Sequence, residues 1–238
     1  MKEKIKITYV YHSCFVQEYK GKTLLFDPPG SGFLPNGLWD LVEEVVRDRD
    51  LYVFISHGHG DHYNPKVFEV EAKEVHYIVP DDIHYHEKAV VLSDGDIRKV
   101  GDLHVRTFKS NDQGLAYLIK ADGCITYFGG DLAKWDWPEW SEKEREEHVG
   151  VFHDTLEQLR GLDVDVAYSN MDKRLESWAG PQEFIREIKP KYFVPIHTFG
   201  NEEWIDDLIN SDLPEEATIF RYREPGDHVI WDILERKR

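Results

Sequence analysis

Cysteine is nearly absent. The 238 residues hold two, Cys14 and Cys124, each inside an apolar run of strand character. A disulfide between them is disfavoured, and each thiol reads as a small hydrophobe. Long hydrophobic runs are missing too: nothing reaches the ~18 apolar residues of a membrane span. Met1–Val10 alternates charge with Ile and Tyr instead of building a signal-peptide core. The expectation is a cytoplasmic protein with no membrane partner. Positive charge is also scarce, with 29 bases against 46 acids and a net charge of −17, which repels a phosphate backbone. No basic run offsets it, so nucleic acid is disfavoured as a partner. Aromatic residues are plentiful, with seven Trp, twelve Tyr and twelve Phe, and argue against disorder. Sandwiches and barrels run to roughly 200–250 residues as one unit, so a single domain over residues 1–238 is expected.

The opening third reads as antiparallel hairpins: Lys4–Val10, Cys14–Tyr19 and Thr23–Phe26, with a Lys20-Gly21-Lys22 turn. Leu38–Asp48 spaces its apolar residues as a helix does, and Leu51–Ile55 is a wholly apolar run, a buried strand ending at Ser56. Asn64-Pro65 signals a helix start. Strands over Val75–Val79, Ala89–Leu92, Ile97–Val100, Leu103–Phe108, Leu115–Lys120 and Ile125–Phe128 read as a meander. A long charged helix from Ser141 through Leu159 follows. Strands at Val164–Tyr168 and Tyr192–Ile196 then alternate with helices at Pro181–Ile188 and Glu202–Ile209. Thr218–Arg221 and His228–Trp231 are the last strands. The pattern implies two packed sheets with helices outside.

One segment stands apart: Ser56-His57-Gly58-His59-Gly60-Asp61-His62, directly after the buried strand. On an extended loop with small glycines between them, His57 and His59 can turn to one cation while Asp61 and His62 project toward a second. Neutral imidazole and carboxylate suit zinc, iron or manganese. The plainer alternative is a His-rich surface turn or an N-cap cluster before Pro65.

His-x-His-x-Asp-His after a buried strand is the signature of metallo-β-lactamase-fold hydrolases, and this chain resembles them. The resemblance extends to Gly129-Gly130-Asp131 after the strand Ile125–Phe128 and to His197 after Tyr192–Ile196. His12-Ser13-Cys14-Phe15 and Phe26-Asp27-Pro28 are similar to the branch containing ascorbate-6-phosphate lactonase-like proteins. The resemblance implies an α/β fold, a four-layer αββα sandwich with metals at one edge. It also implies one or two Zn2+ ions, with Mn2+ or Fe2+ as alternatives. His57 and His59 would bind one ion, Asp61, His62 and His197 the other, with Asp131 bridging and Asp27 bracing the ligand loop from behind. Taken alone, Asp131 is an ordinary turn residue and His197 a core histidine.

The chain departs from that pattern in one place. Aligned on Ser110 and Gly114, the family's third histidine for the first ion is Lys109, whose ammonium has three donors and no acceptor. Three outcomes follow. The site is empty and Lys109 supplies the missing charge; it survives on His57, His59, Asp131 and water; or Asn111 or Asp112 provides an oxygen. A shifted alignment would leave Lys109 a solvent-facing strand end. The expected activity is hydrolysis of a small anionic ester, lactone or phosphoester, with Asp61 or Asp131 orienting a water and Lys109 as electrophile. Arg174 is either a clamp for a substrate anion or a surface ion pair. Two other readings stand beside this one: a phosphodiesterase or nuclease, and a non-catalytic member of the fold with a decayed site. Trp135-Asp136-Trp137-Pro138-Glu139-Trp140 is either a lid over the metals or a cluster that docks the following helix or covers a subunit contact in a homo-oligomer. His12, His76, His84, His86, His148, His153 and His228 are left unassigned, with His12 at most bordering the site.

Overall fold

The computed structural model describes residues 2–35, 37–83, 87–215 and 217–234, so that His84 and His86 lie outside the described residues. The first sheet holds β1 (Lys2–Tyr11), β2 (Cys14–Tyr19), β3 (Lys22–Phe26), β4 (Asp50–Phe54), β5 (Glu74–Pro80) and β6 (Ala89–Leu92). The second runs from β7 (Ile97–Val100) through β8 (Leu103–Lys109), β9 (Leu115–Ala121), β10 (Cys124–Phe128), β11 (Val166–Asn170) and β12 (Tyr192–Ile196) to β13 (Thr218–Ile219). The last strand, β14 (His228–Leu234), returns to the first sheet beside β1, giving the order β14-β1-β2-β3-β4-β5-β6 against β13-β12-β11-β10-β9-β8-β7. The sheets pack face to face because both inner faces are apolar: Phe26 stacks on Phe128 at 4.5 Å, and Phe15 meets Tyr168 edge-on at 5.5 Å. One polar bridge crosses this layer, where Gln17 donates to Thr126 Oγ1 at 2.9 Å and accepts from the Tyr168 hydroxyl at 3.1 Å.

Helices cover both outer faces. Val42 and Val46 of α1 (Leu38–Val46) bury against Val16, Leu25 and Val53 of the first sheet. On the second, Phe152 and Leu156 of α2 (Glu142–Leu159) join Phe184 and Ile185 of α3 (Pro181–Ile188) and Leu208 of α4 (Trp204–Ile209). Helix α2 starts with a reciprocal cap. Ser141 Oγ accepts from the Glu144 amide at 3.3 Å, and Glu144 Oε2 accepts from the Ser141 amide at 2.8 Å. The result is the expected four-layer αββα sandwich. Among the described residues no helix is long and apolar enough to cross a membrane.

Two local expectations need correction. The run from Val75 to Phe128 is not one meander: β4, β5 and β6 are parallel neighbours in the first sheet, and only β7 to β10 are antiparallel and consecutive. Short apolar strands carry the same period whichever partner they take, and the Ser93–Asp96 turn hides a change of sheet. Asn64 does cap the turn after it, accepting from the Lys66 amide at 3.1 Å, but only a five-residue 3-10 turn, Pro65–Glu69, follows.

This topology creates the site's edge. β3 and β4 are parallel in the first sheet, as are β10, β11 and β12 in the second, so their carboxyl ends share one rim. The sheets are tied there by backbone: the Leu115 amide donates to Ser56 O at 2.8 Å, and the Tyr117 hydroxyl to Ile55 O at 2.7 Å. Gly114 makes this approach possible. Its φ is +64°, and a Cβ would sit 1.9 Å from Ser56 O and 2.8 Å from His57 Cβ. Gly114→Ala should therefore destabilise the protein by about 2–4 kcal/mol in chemical denaturation, because backbone rather than a flexible side chain must move. Gly95→Ala, at φ +75° in open space, should carry only the left-handed penalty of about 1–2 kcal/mol. Equal losses in the two variants would refute the steric account.

Candidate metal centre

Asp27 leaves β3 with left-handed backbone (φ +39°) and is wholly buried. Its carboxylate accepts from the Ser56 amide at 2.7 Å, from Ser56 Oγ at 2.5 Å and from His62 Nδ1 at 2.8 Å. Burial pushes its carboxyl above the usual range, although the bonds to His62 and Ser56 oppose the shift. Ser56 Oγ, having given its proton to Asp27, is left to accept from His57 Nδ1 at 2.9 Å. Both imidazoles are thereby fixed in orientation, with Nδ1 bonded behind and Nε2 turned inward, where a cation would replace any proton it carries.

These inward nitrogens converge on Asp131, at the end of the Gly129-Gly130 turn. His62 Nε2 lies 3.3 Å from Asp131 Oδ1, while His57 Nε2 and His197 Nε2 lie 3.7 and 3.5 Å from Oδ2. His197 follows β12 with φ +66° and is backed at Nδ1 by the buried Asp172 carboxylate at 3.5 Å. His59 turns its Nδ1 to within 3.0 Å of His57 Nε2. Asp61 stands on the other flank, its Oδ2 3.8 Å from His62 Nε2 and 3.7 Å from His12 Nε2. Two donors about 2.0–2.1 Å from one ion sit roughly 3.4 Å apart in a tetrahedral shell, which is the spacing found here. His62 Nε2 and Asp131 Oδ1 are buried with no hydrogen bond, as are both ring nitrogens of His12. Unpaired buried polar atoms cost about 1–3 kcal/mol each, a cost that a cation between them removes. The donor set and its geometry thus fit divalent metal ions.

The charges are mutually dependent. Burial lowers the pKa of His57 to about 3, with His62 adding to the effect, so its ring is neutral. Burial acts the same way on His197, but the Asp131 and Asp172 carboxylates outweigh it and hold it at about 9. His62 is likewise held well above its ordinary value, since Asp131 and Asp27 overcome its burial. Asp131 is driven well below the carboxylate range: burial opposes this, and the His62 and His197 rings outweigh it.

The structure thus brings together His57, His59, Asp61, His62, Asp131 and His197, with Asp27 behind them. It does not bring Lys109 to them. That residue ends β8 exposed, paired with Leu115 through its backbone, and its side chain makes no hydrogen bond or ion pair among the described residues. The group placed beside His57 and His59 is Asp112, whose Oδ2 is 3.7 Å from His57 Nε2 and 3.3 Å from His59 Nδ1. Arg174 is an ion pair. Its Nε and Nη2 grip Asp172 at 2.9 and 2.5 Å, while its guanidinium lies 5.3 Å from the rings of both Trp137 and Phe199, with the side chain 53% exposed. The tryptophan segment divides its roles. Trp135 Nε1 donates to Asp131 O at 2.8 Å and its ring lies 5.2 Å from His197, whereas Trp140 packs on His148 of α2 at 4.3 Å.

Three contributors were not assigned from sequence. Asp172, two residues beyond β11, has the strand-end position that signals such a role. Trp135, four residues past Asp131, offers only its place in an aromatic cluster. His12 sits in the β1–β2 turn with φ +55°, fully buried, its ring 4.8 Å from His197 and 4.0 Å from Phe199. Left-handed backbone at His12, Asp27 and His197 concentrates strain around the site.

Comparison with known proteins agrees with this architecture. A UPF0173 protein of Pyrococcus furiosus is 26% identical over 208 residues, covering 81% of this chain and 83% of that one. A UPF0173 metal-dependent hydrolase of a Geobacillus species is 25% identical over 218 residues, covering 81% and 85%. Among solved structures, a metallo hydrolase from the hyperthermophilic archaeon Ignicoccus hospitalis superposes with a TM-score of 0.63 at 18% identity, covering 97% of this chain and 100% of that one. The family profile described as the beta-lactamase superfamily domain matches residues 6–197, from β1 to the last histidine of the cluster, and the chain belongs to that family.

Proposed function

We propose that this protein is a metal-dependent hydrolase that acts on a small anionic ester, lactone or phosphoester. The observation that carries the reading is the buried Asp131 carboxylate, with inward imidazole nitrogens on both of its sides. His57 and His59 would hold one ion and Asp61, His62 and His197 a second, with Asp131 between them. Imidazole and carboxylate donors suit Zn2+, with Mn2+ or Fe2+ as alternatives. Divalent cations held there supply a Lewis acid and an acidified water.

The chain's own groups do the rest. Asp61, partly open to solvent, would orient the water, and the neutral His12 ring beside it limits where that carboxylate can turn. Trp135 and Phe199 wall the His197 side with apolar surface and exclude bulk water. We assign the exposed part of the Arg174 guanidinium, at this rim, to the substrate's negative charge. The similarity of His12-Ser13-Cys14-Phe15 and Phe26-Asp27-Pro28 to lactonase-like proteins puts a lactone first among the substrates to try.

Treatment with a chelator should abolish hydrolysis across a panel of lactones, esters and phosphoesters, and metal should restore it. Asp131→Asn should reduce turnover by more than ~100-fold, since even groups behind metal ligands contribute about 10–100-fold. Turnover that survives complete metal removal would refute the proposal. Asp27→Asn should weaken metal affinity by about 10–100-fold through the loosened His62 and Ser56, as read by competition with a chromogenic chelator. Metal uptake must also displace protons. His197 is held at about 9 and His62 well above its ordinary value, so affinity should rise from pH 6.5 to 9, with protons released at pH 7. A pH-independent affinity over that window would contradict the charge assignment.

A further inference from the structure

The loop after β8 solves the problem that Lys109 poses. It is pinned at Asn111, whose Nδ2 donates to Ala133 O at 2.6 Å and to His148 O at 2.7 Å, while its Oδ1 accepts from the Ala133 amide at 3.2 Å. These bonds turn the Asn111 amide toward the backbone of Ala133 and His148. Ser110 fixes the next peptide, its Oγ accepting from the Asp112 amide at 3.2 Å, and its own amide donates to Gly114 O at 3.2 Å. The loop therefore folds back over the histidine segment and delivers Asp112. The Asp112 carboxylate makes no hydrogen bond among the described residues other than its approach to these imidazoles.

We propose that Asp112 is the third ligand of the first ion, in the place where the fold's hydrolases carry an imidazole, and that the exchange shifts this site toward Mn2+ or Fe2+. This rests on the metal reading given above. The three donor atoms His57 Nε2, His59 Nδ1 and Asp112 Oδ2 form a triangle of 3.0, 3.3 and 3.7 Å, with Asp131 Oδ2 3.7 Å from His57 Nε2 as a fourth donor. Such edges match donors about 2.1 Å from a common centre. Two imidazoles and two carboxylates form a harder set than three imidazoles and one carboxylate. Carboxylate oxygen favours Mn2+, and a two-histidine, one-carboxylate face with open positions suits Fe2+. Two anionic ligands also neutralise the ion's charge, a task for which Lys109 has the wrong sign.

The test is anaerobic equilibrium dialysis of the metal-free full-length chain against Mn2+, Fe2+ and Zn2+, with bound equivalents read by elemental analysis and Mn2+ also by its electron paramagnetic resonance signal. Wild type and Lys109→Ala should both bind about two equivalents of Mn2+. Asp112→Asn should lose one of them or weaken it at least ~10-fold while melting as wild type does, because the side chain is 37% exposed and keeps its shape. Asp112→His should lower the ratio of Mn2+ to Zn2+ affinity by about tenfold or more. Two wild-type-strength Mn2+ sites in Asp112→Asn, an unchanged ratio in Asp112→His, or loss of a site in Lys109→Ala would each overturn the assignment while leaving metal binding intact. Wild-type protein that takes up no metal would overturn the underlying reading and this one with it.

Discussion

The Asp27 carboxylate is cut off from water, and all its hydrogen-bonding capacity goes to the loop that carries the histidines. Without its bonds to the Ser56 amide and hydroxyl, neither His57 nor His62 would have a fixed ring orientation, and the loop has two glycines that otherwise leave it free to wander. A buried carboxylate with no partners would be driven to its neutral form. Here three donors arrive together, so the cost of burying the charge and the ordering of the ligands are one and the same interaction. Asp172 repeats the device for His197, with Arg174 holding that second carboxylate ionised from outside.

Charge explains why the cluster is arranged around Asp131. The protonated forms of His62 and His197 and the ionised form of Asp131 stabilise one another. Removing any member leaves a buried group uncompensated, which is why such networks behave as units rather than sums. The chain carries an excess of acid, with a net charge of −17, so its overall field attracts cations and repels anions.

Most of the layer order and of the site could be read from the sequence because both depend on local signals. An apolar run followed by His-x-His-x-Asp-His fixes a buried strand and its terminus together, and Asp131 and His197 each follow a strand of the same kind. What escaped reading depends on contacts between distant segments. Asp112 is directed by Asn111, whose partners are the backbone of Ala133 and His148, more than twenty positions away. Counting along β8 pointed to Lys109 and left Asp112 as one of several alternatives, and only the reversal of the loop beyond it places Asp112 rather than Asn111 beside His57 and His59. His12 was hidden by a turn that turns a histidine inward, and the parallel pairing of β5 and β6 by strands too short to declare a partner.

His12 and His197 lie 4.8 Å apart in space and are separated by most of the chain, and the donors between them come from both sheets, His57 to His62 after β4 of the first and Asp131 after β10 of the second. No half of the sandwich contains a complete set. Closing that many long loops is the slow part of folding for such a topology. The donor set is therefore complete only once the two sheets have docked, and a cation held there would tie one sheet to the other.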